Sequence, residues 1–202
     1  MIWKIIFYSV IGVLALAIII VGSVFLYKKV YYPRKFENVH YRDVLKIVTN
    51  YDFRLINKFI FKVGENKYAK IDHIIFGDKF MYLIFSRYYA GNIKGNVDDK
   101  SFVFINKKGK KMYTENQYDH MKFVINKLCI QTGLDKSQLI GIVLTNNDCV
   151  SYVESNSDHL YIIPRKELPR AIKEIEARDV GPFNDEHLQS AVLTLNVMNR
   201  KK

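Results

Sequence analysis

The residues best suited to chemistry lie on two neighbouring segments that the sequence predicts to be the strands of one β-hairpin. The first segment, 68–76, carries Asp72 and His73, and the second, 80–88, carries Arg87. Taken without further context, Asp72 and His73 are typical of side chains that fix the end of a hairpin by hydrogen bonds. Arg87 is equally typical of an ion pair and of a phosphate contact.

Several other kinds of site are excluded by the spacing of the reactive residue types. The five histidines, His40, His73, His120, His159 and His187, form no HxH or HExxH pair. The two cysteines, Cys129 and Cys149, form no CxxC pair, which excludes a zinc ribbon and a disulfide scaffold, and they are typical of buried structural thiols. There is no G-x-S-x-G elbow and no Walker motif, so a serine hydrolase of that kind and a P-loop enzyme are also excluded.

The order of short motifs along the hairpin resembles the nuclease-related domain (NERD) family of the PD-(D/E)xK nuclease superfamily. The sequence reads IDHIIFG at 71–77, YLIFSRY at 82–88 and GNIKG at 91–95. The corresponding family pattern is I-D-H followed by three apolar residues and Gly, then an apolar-I-E-x-K-N strand, then G-x-I-x-G. The resemblance extends over about 36–165, and its order and spacing are most specific in the hairpin.

The resemblance implies a metal-dependent nuclease site in which an Asp and a Glu hold Mg²⁺ and a Lys orients the attacking water. Asp72 matches the Asp, but Phe85 stands at the Glu position and Arg87 at the Lys position. Phenylalanine cannot ligate a hard cation, and arginine stays protonated. We therefore expect a degenerate catalytic site of Asp72, Arg87 and Glu37, with Mg²⁺ at Asp72 only in an active nuclease.

Residues flanking the hairpin leave an active alternative open. Glu37 matches a Glu that opens the family's first helix, and Asn116 with His120 approximates its Q-x3-H motif. Glu37 or Glu115 could supply a relocated carboxylate from a neighbouring element. Metal-dependent DNA cleavage by such a site is the second hypothesis.

The elements that must position these residues follow from hydrophobic periodicity. A helix is predicted over 34–45, with Phe36, Val39, Val44 and Leu45 on its apolar face, and another over 114–132, capped by Thr114. Strands are predicted at 52–62, 68–76, 80–88, 101–106, 139–145, 150–153 and 159–163, and closing helices at 165–177 and 185–199. This order predicts an α/β (α+β) fold with a mixed β-sheet flanked by helices. The family resemblance implies that it is restriction-endonuclease-like.

A long apolar run precedes this domain. Ile5 to Tyr27 contains 23 residues without a charge, enough for a transmembrane helix. A cleaved signal peptide would have a shorter apolar region followed by small residues, so a single-pass anchor is favoured. More positive charge follows the run, at Lys28 and Lys29, than precedes it, at Lys4. The positive-inside rule then places the amino terminus outside and the following domain in the cytoplasm at the cell membrane.

The sequence therefore divides into a transmembrane anchor with its flanks (1–30), a NERD-like domain (31–165) and C-terminal helices (166–202). The chain has 31 basic and 20 acidic residues; all the acidic ones and 28 of the basic ones follow residue 30, which leaves a net charge of +8 there. This excess could contact nucleic acid through the following lysines: Lys94, Lys107, Lys108, Lys110 and Lys111. It could equally face anionic lipid, or the lysines could be a solvated turn.

Three classes of function follow. The first is a membrane-anchored, catalytically inactive NERD-like domain that binds DNA, RNA or a protein partner, while residues 5–27 contact the lipid bilayer. The second is an active, membrane-tethered DNA endonuclease. The third is a structural membrane-associated assembly protein.

Overall fold

A computed structural model describes residues 2–154 and 157–199 and divides the chain into two compact units, 1–39 and 40–202. The last residues of the predicted C-terminal region, 200–202, lie outside the described residues.

The N-terminal unit is helical. Helix α1 (Ile2–Leu26) continues through a π-helical turn (Tyr27–Tyr31) into α2 (Tyr32–Arg34), and the first turn of α3 (Phe36–Asn50) belongs to the same unit. The helical stretch Ile6–Arg34 is strongly apolar, and its most apolar part is not buried against the rest of the chain. By length and composition this helix could cross a membrane, although signal sequences share the same properties.

The C-terminal unit is built on a five-stranded mixed sheet. Its strands are β1 (Arg54–Lys62), β2 (Tyr68–Phe76), β3 (Met81–Arg87), β7 (Leu139–Thr145) and β9 (Leu160–Pro164), in that spatial order. The first three pair antiparallel, and β3, β7 and β9 pair parallel. All seven residues of β7 are buried, as expected for a parallel strand covered on both faces.

A second, four-stranded sheet has the order β6-β5-β4-β8. Its strands are β4 (Gly91–Asn96), β5 (Ser101–Asn106), β6 (Lys111–Glu115) and β8 (Ser151–Glu154). Helix α4 (Gln117–Thr132) follows directly after β6. The chain closes with a 3-10 turn (Arg165–Glu167), α5 (Leu168–Glu176) and α6 (Asp185–Met198); another 3-10 turn, Lys136–Gln138, precedes β7.

Helices cover both faces of the first sheet. Met121, Val124 and Leu128 of α4 share one apolar cluster with Leu83 and Phe85 of β3. On the opposite face, α3 and α5 form a second cluster with Tyr82 and Ile84 of β3. The predicted α/β (α+β) class, a mixed β-sheet flanked by helices, is confirmed.

Four local features were missed or predicted wrongly. The strands β4 and β6 were missed, because β4 contains two glycines and β6 is mostly polar and exposed. Helix α4 is capped by Asn116 instead of Thr114, which lies in β6. Leu45 of α3 is 42% exposed, and the buried face of this helix is continued by Ile47 and Val48.

Candidate functional site

The hairpin of β2 and β3 sets the position of Asp72. His73 lies opposite Ile84, so Asp72 is the next residue along the ladder and adjoins the end of β3 at Phe85 and Ser86. On its other side β2 pairs with β1, where Asn57 lies opposite His73 and Phe59 opposite Ile71.

The regular alternation of side chains is broken at this point of both strands. Ile71 and Ile74, three residues apart, belong to the same apolar cluster, whereas residues three apart on a regular strand face opposite sides. Lys58, between the paired positions of β1, has a φ of 54°, in the left-handed region that non-glycine residues rarely occupy. The backbone irregularity therefore lies beside Asp72 and His73 and changes the direction of their side chains.

The carboxylate of Asp72 is buried, and each of its two oxygens has a partner. Its Oδ2 accepts a hydrogen bond from the backbone N–H of Ser86 at 2.7 Å, and its Oδ1 pairs with Lys70 Nζ at 3.0 Å. The Asp72 side chain is 7% exposed and that of Lys70 is 46% exposed. Asp72 thus links β2 to the end of β3 and has its charge balanced by a lysine of its own strand.

Phe85, at the position of the family's Glu, is a core residue. It is 1% exposed and belongs to the cluster beneath α4. The ring of His120 on α4 meets it edge to face, with the ring centroids 5.6 Å apart. Burial lowers the pKa of His120, partly opposed by Glu115, whose Oε1 lies 3.8 Å from His120 Nδ1.

Arg87, at the position of the family's Lys, is held by its own neighbours. Its Nε donates to Gln117 Oε1 at 3.1 Å, and one terminal nitrogen donates to the carbonyl of Ser86 at 3.0 Å. Sequence reasoning missed Gln117, although it directly follows Asn116 in the loosely matched helix motif. Asn116 itself is buried and structural, since its amide donates to the carbonyls of Val97 and Asp99 at 3.1 and 2.6 Å.

Two buried histidines adjoin Asp72. The Nε2 of His40 lies 2.8 Å from Ser86 Oγ, and the Nδ1 of His73 lies 2.6 Å from Asn57 Oδ1. The two imidazoles meet edge to face at 5.3 Å, and Tyr41 stacks on His73. Burial lowers the pKa of His73 to about 4, and His40 adds to this effect while Asp72 opposes it. His73 is therefore neutral near pH 7, and with Nδ1–H donating to Asn57, its Nε2 is an acceptor without a partner among the described residues.

These residues do not fit a site in which two carboxylates share Mg²⁺. Asp72 already takes an amide and an ammonium group, and the adjoining position holds the apolar ring of Phe85. Across the described parts of the chain, no group of three or more His, Cys, Asp or Glu side chains could hold a metal ion. Glu37 lies in the first turn of α3, within the N-terminal unit, and Glu115 is an exposed residue of β6 beside His120.

The lysines singled out from the sequence all lie on the second sheet or on the turn of its β5–β6 hairpin. Lys94 is an exposed residue of β4, opposite Val103 of β5. The turn is ordered by Asn106, whose Oδ1 accepts from the N–H groups of Lys108 and Lys110 at 2.9 Å each. Gly109 supplies the positive φ of 78° that the turn requires.

The two cysteines have the properties of unreactive thiols. Cys149 is buried, and burial raises the pKa of its thiol to about 11. Burial also raises the pKa of Cys129, which is half-buried on α4. Both thiols are therefore protonated near pH 7 and weakly nucleophilic.

Comparison with known proteins places these observations in a family. A family model described as the nuclease-related domain matches residues 35–146, which is more than half of the chain. No curated protein matches the sequence. Among solved structures, the chain is similar to the crystal structure of a protein of unknown function, AF1548, with 11% identity over 79% of this chain and 78% of that one and a TM-score of 0.32. On the strength of the family match, this chain belongs to the nuclease-related domain (NERD) family.

Proposed function

We propose that this protein is a membrane-anchored nuclease-related domain that binds nucleic acid and does not cleave it. The observation that carries the proposal is the side chain at position 85, where a buried phenylalanine occupies the place of a metal-binding carboxylate. Without that ligand, Asp72 alone gives a divalent cation one carboxylate, which is already paired with Lys70. Asp72, Arg87 and Glu37 are then vestiges of a catalytic set.

The rest of the site supports a structural use of the same residues. The family's catalytic Lys would need a free amine close to the attacking water, but Arg87 is fixed by Gln117 and cannot give up its proton. Asp72 and Arg87 both bind Ser86, at its N–H and its carbonyl, so they stabilise the end of β3.

Nucleic-acid binding is supported by the family and by the charge. The residues after position 30 carry a net charge of +8, and five lysines lie on the second sheet and its turn. Lysines that neutralise phosphates release condensed counterions, so such binding is strong at low salt and falls steeply as salt rises.

Binding is tested with the full chain in nanodiscs of neutral lipid, using fluorescence anisotropy of a labelled oligonucleotide in EDTA. We expect saturable binding at about 50 mM salt that weakens at least tenfold at about 200 mM salt, with no requirement for a divalent cation. A folded chain that leaves the probe free at low salt would contradict the proposal and favour a protein partner or an assembly role.

We also propose that the apolar helix spans the cell membrane once, with the amino terminus outside and the nuclease-related domain in the cytoplasm. Lys28, Lys29 and Arg34 follow the apolar stretch within one short segment, and such positive flanks are retained on the cytoplasmic side. A carboxyl-terminal tag should resist protease added to intact cells and be cleaved in inverted membrane vesicles. Cleavage in intact cells, or release of the protein by alkaline carbonate, would contradict this topology.

A further inference from the structure

The second sheet presents one open face. Alternate residues of its strands point to opposite sides, and Ile93 and Phe102, which point to one side, are fully buried. The opposite side, which we call the open face, carries Tyr113, 83% exposed, and Tyr152, 58% exposed. Large aromatic rings at this level of exposure on a sheet face are typical of binding surfaces.

The strand register places these rings in one row across the sheet. Tyr113 of β6 lies opposite Val103 of β5, Val103 opposite Lys94 of β4, and Lys94 opposite Tyr152 of β8. The two tyrosines are therefore separated by three strand spacings, about 14 Å, with an exposed lysine and a half-buried valine between them.

The charged side chains on the two sides of this row have opposite signs. Toward one end lie Lys111, opposite Ile105, and the lysines of the adjoining turn. Toward the other end lie Glu115 and Glu154, both exposed, on the outermost strands of the sheet. A flat anionic membrane would meet both ends at once, including the carboxylates. A narrow anionic chain can lie along the row and keep its phosphates on the lysine side.

We propose that the open face of the second sheet binds single-stranded nucleic acid, with bases stacked on Tyr113 and Tyr152 and phosphates near Lys94, Lys111 and the lysines of the turn. Aromatic rings on a sheet, combined with lysines that track the backbone, are the physical requirements for sequence-tolerant binding of single strands. A duplex keeps its base faces stacked inside and offers nothing to the two rings. This inference rests on the proposed function, because it specifies which nucleic acid is bound and where.

The test uses the full chain in neutral-lipid nanodiscs and measures anisotropy with a labelled oligothymidylate of about 20 nucleotides and a duplex of equal length. Tyr113→Ala and Tyr152→Ala should each weaken binding of the single strand at least about fivefold, whereas Tyr113→Phe should stay within about twofold because the ring is kept. Tyr68→Ala, which removes an exposed tyrosine from the first sheet, is the matched control and should leave binding unchanged.

The outcomes separate this inference from the proposed function. A chain that binds neither probe contradicts both. Binding that is as tight in the double variant Tyr113→Ala/Tyr152→Ala as in the unchanged chain, or stronger for the duplex than for the single strand, overturns this inference alone. Circular dichroism of each variant checks that the fold is retained.

Discussion

The chemistry of this domain is decided by single side chains around Asp72. A carboxylate that serves a metal needs free lone pairs and a second carboxylate beside it, but Asp72 is engaged by the Ser86 amide and by Lys70. Asp72 therefore contributes to the stability of the domain, and the carboxylate at this place is not used to bind a metal ion. This difference has measurable consequences in unfolding experiments.

Replacing Asp72 by alanine should destabilise the domain. The Ser86 N–H would lose its acceptor, which costs about 1–3 kcal/mol when a partly buried donor is left unpaired. Denaturant unfolding followed by near-UV circular dichroism measures the change. Lys70→Ala is the control and should cost less than Asp72→Ala, because the Lys70 side chain is nearly half exposed and solvent weakens its ion pair. Equal losses in the two variants would show that the salt bridge, not the amide hydrogen bond, carries the effect.

His73 should make stability depend on pH. Its pKa is about 4 in the folded protein and 6.5 in the unfolded chain, so the unfolded chain binds the proton more tightly. The contribution of neutral His73 to the free energy of unfolding is therefore complete above about pH 6.5 and decreases as the pH falls below that value. It levels off below about pH 4, after a total loss of up to about 3 kcal/mol.

The contribution of His73 is isolated by comparing variants across this pH range. His73→Gln should remove this part of the pH dependence, whereas His187→Gln, at an exposed histidine of α6, should retain it. An unchanged pH profile in His73→Gln would mean that another group is responsible.

At the scale of elements, periodicity predicted most helices and strands of the domain, including the β2–β3 hairpin and the buried strand β7. Periodicity failed where contacts with other parts of the chain, and not the pattern of apolar residues, determine the local structure. Strand β6 was missed because its residues are polar and exposed, and the break at Lys58 left no mark in the pattern of apolar residues. The site depends on that break, so the directions of Asp72 and His73 could not be predicted from sequence.

The correct N-cap of α4 can be tested directly. Asn116→Ala should cost at least about 1 kcal/mol, because the side chain accepts from the Tyr118 N–H and also donates to the carbonyls of Val97 and Asp99. Asn50→Ala, at an exposed asparagine that ends α3, should change stability by less than about 0.5 kcal/mol. A loss of less than about 0.5 kcal/mol in Asn116→Ala would contradict this capping arrangement.

The β5–β6 turn should control the salt dependence of binding. Alanine at the four turn lysines should lower the slope of log K against log salt by up to about 3, since each phosphate contact with a single strand contributes about 0.7. The four lysines are Lys107, Lys108, Lys110 and Lys111.

The control for the turn is a second variant with the same change in net charge. It replaces four exposed lysines outside the second sheet, namely Lys46, Lys62, Lys67 and Lys166. Equal reductions of the slope in the two variants would assign the effect to overall charge and contradict a role for the turn.

At the scale of the whole molecule, the sequence predicts an apolar anchor (1–30), a basic domain (31–165) and C-terminal helices (166–202). The structure has two compact units, 1–39 and 40–202. The family was recognisable mainly from the motifs of the hairpin region, and the matched region, 35–146, contains Asp72, Arg87 and Glu37, the three residues that we propose as vestiges of a catalytic set. The sequence could not predict which side chains and backbone groups bind Asp72 and Arg87. Those hydrogen bonds join residues from different elements, such as Arg87 with Gln117 and Asp72 with Ser86.

The central claim is binding without cleavage, and one measurement tests it most directly. The full chain in nanodiscs is incubated with a labelled single-stranded oligonucleotide and Mn²⁺ or Mg²⁺; anisotropy then reports binding, and a denaturing gel reports the length of the recovered strand. We predict a bound probe that is recovered intact with either metal. Metal-dependent shortening of the strand that disappears in Asp72→Ala would contradict the account and establish an active nuclease.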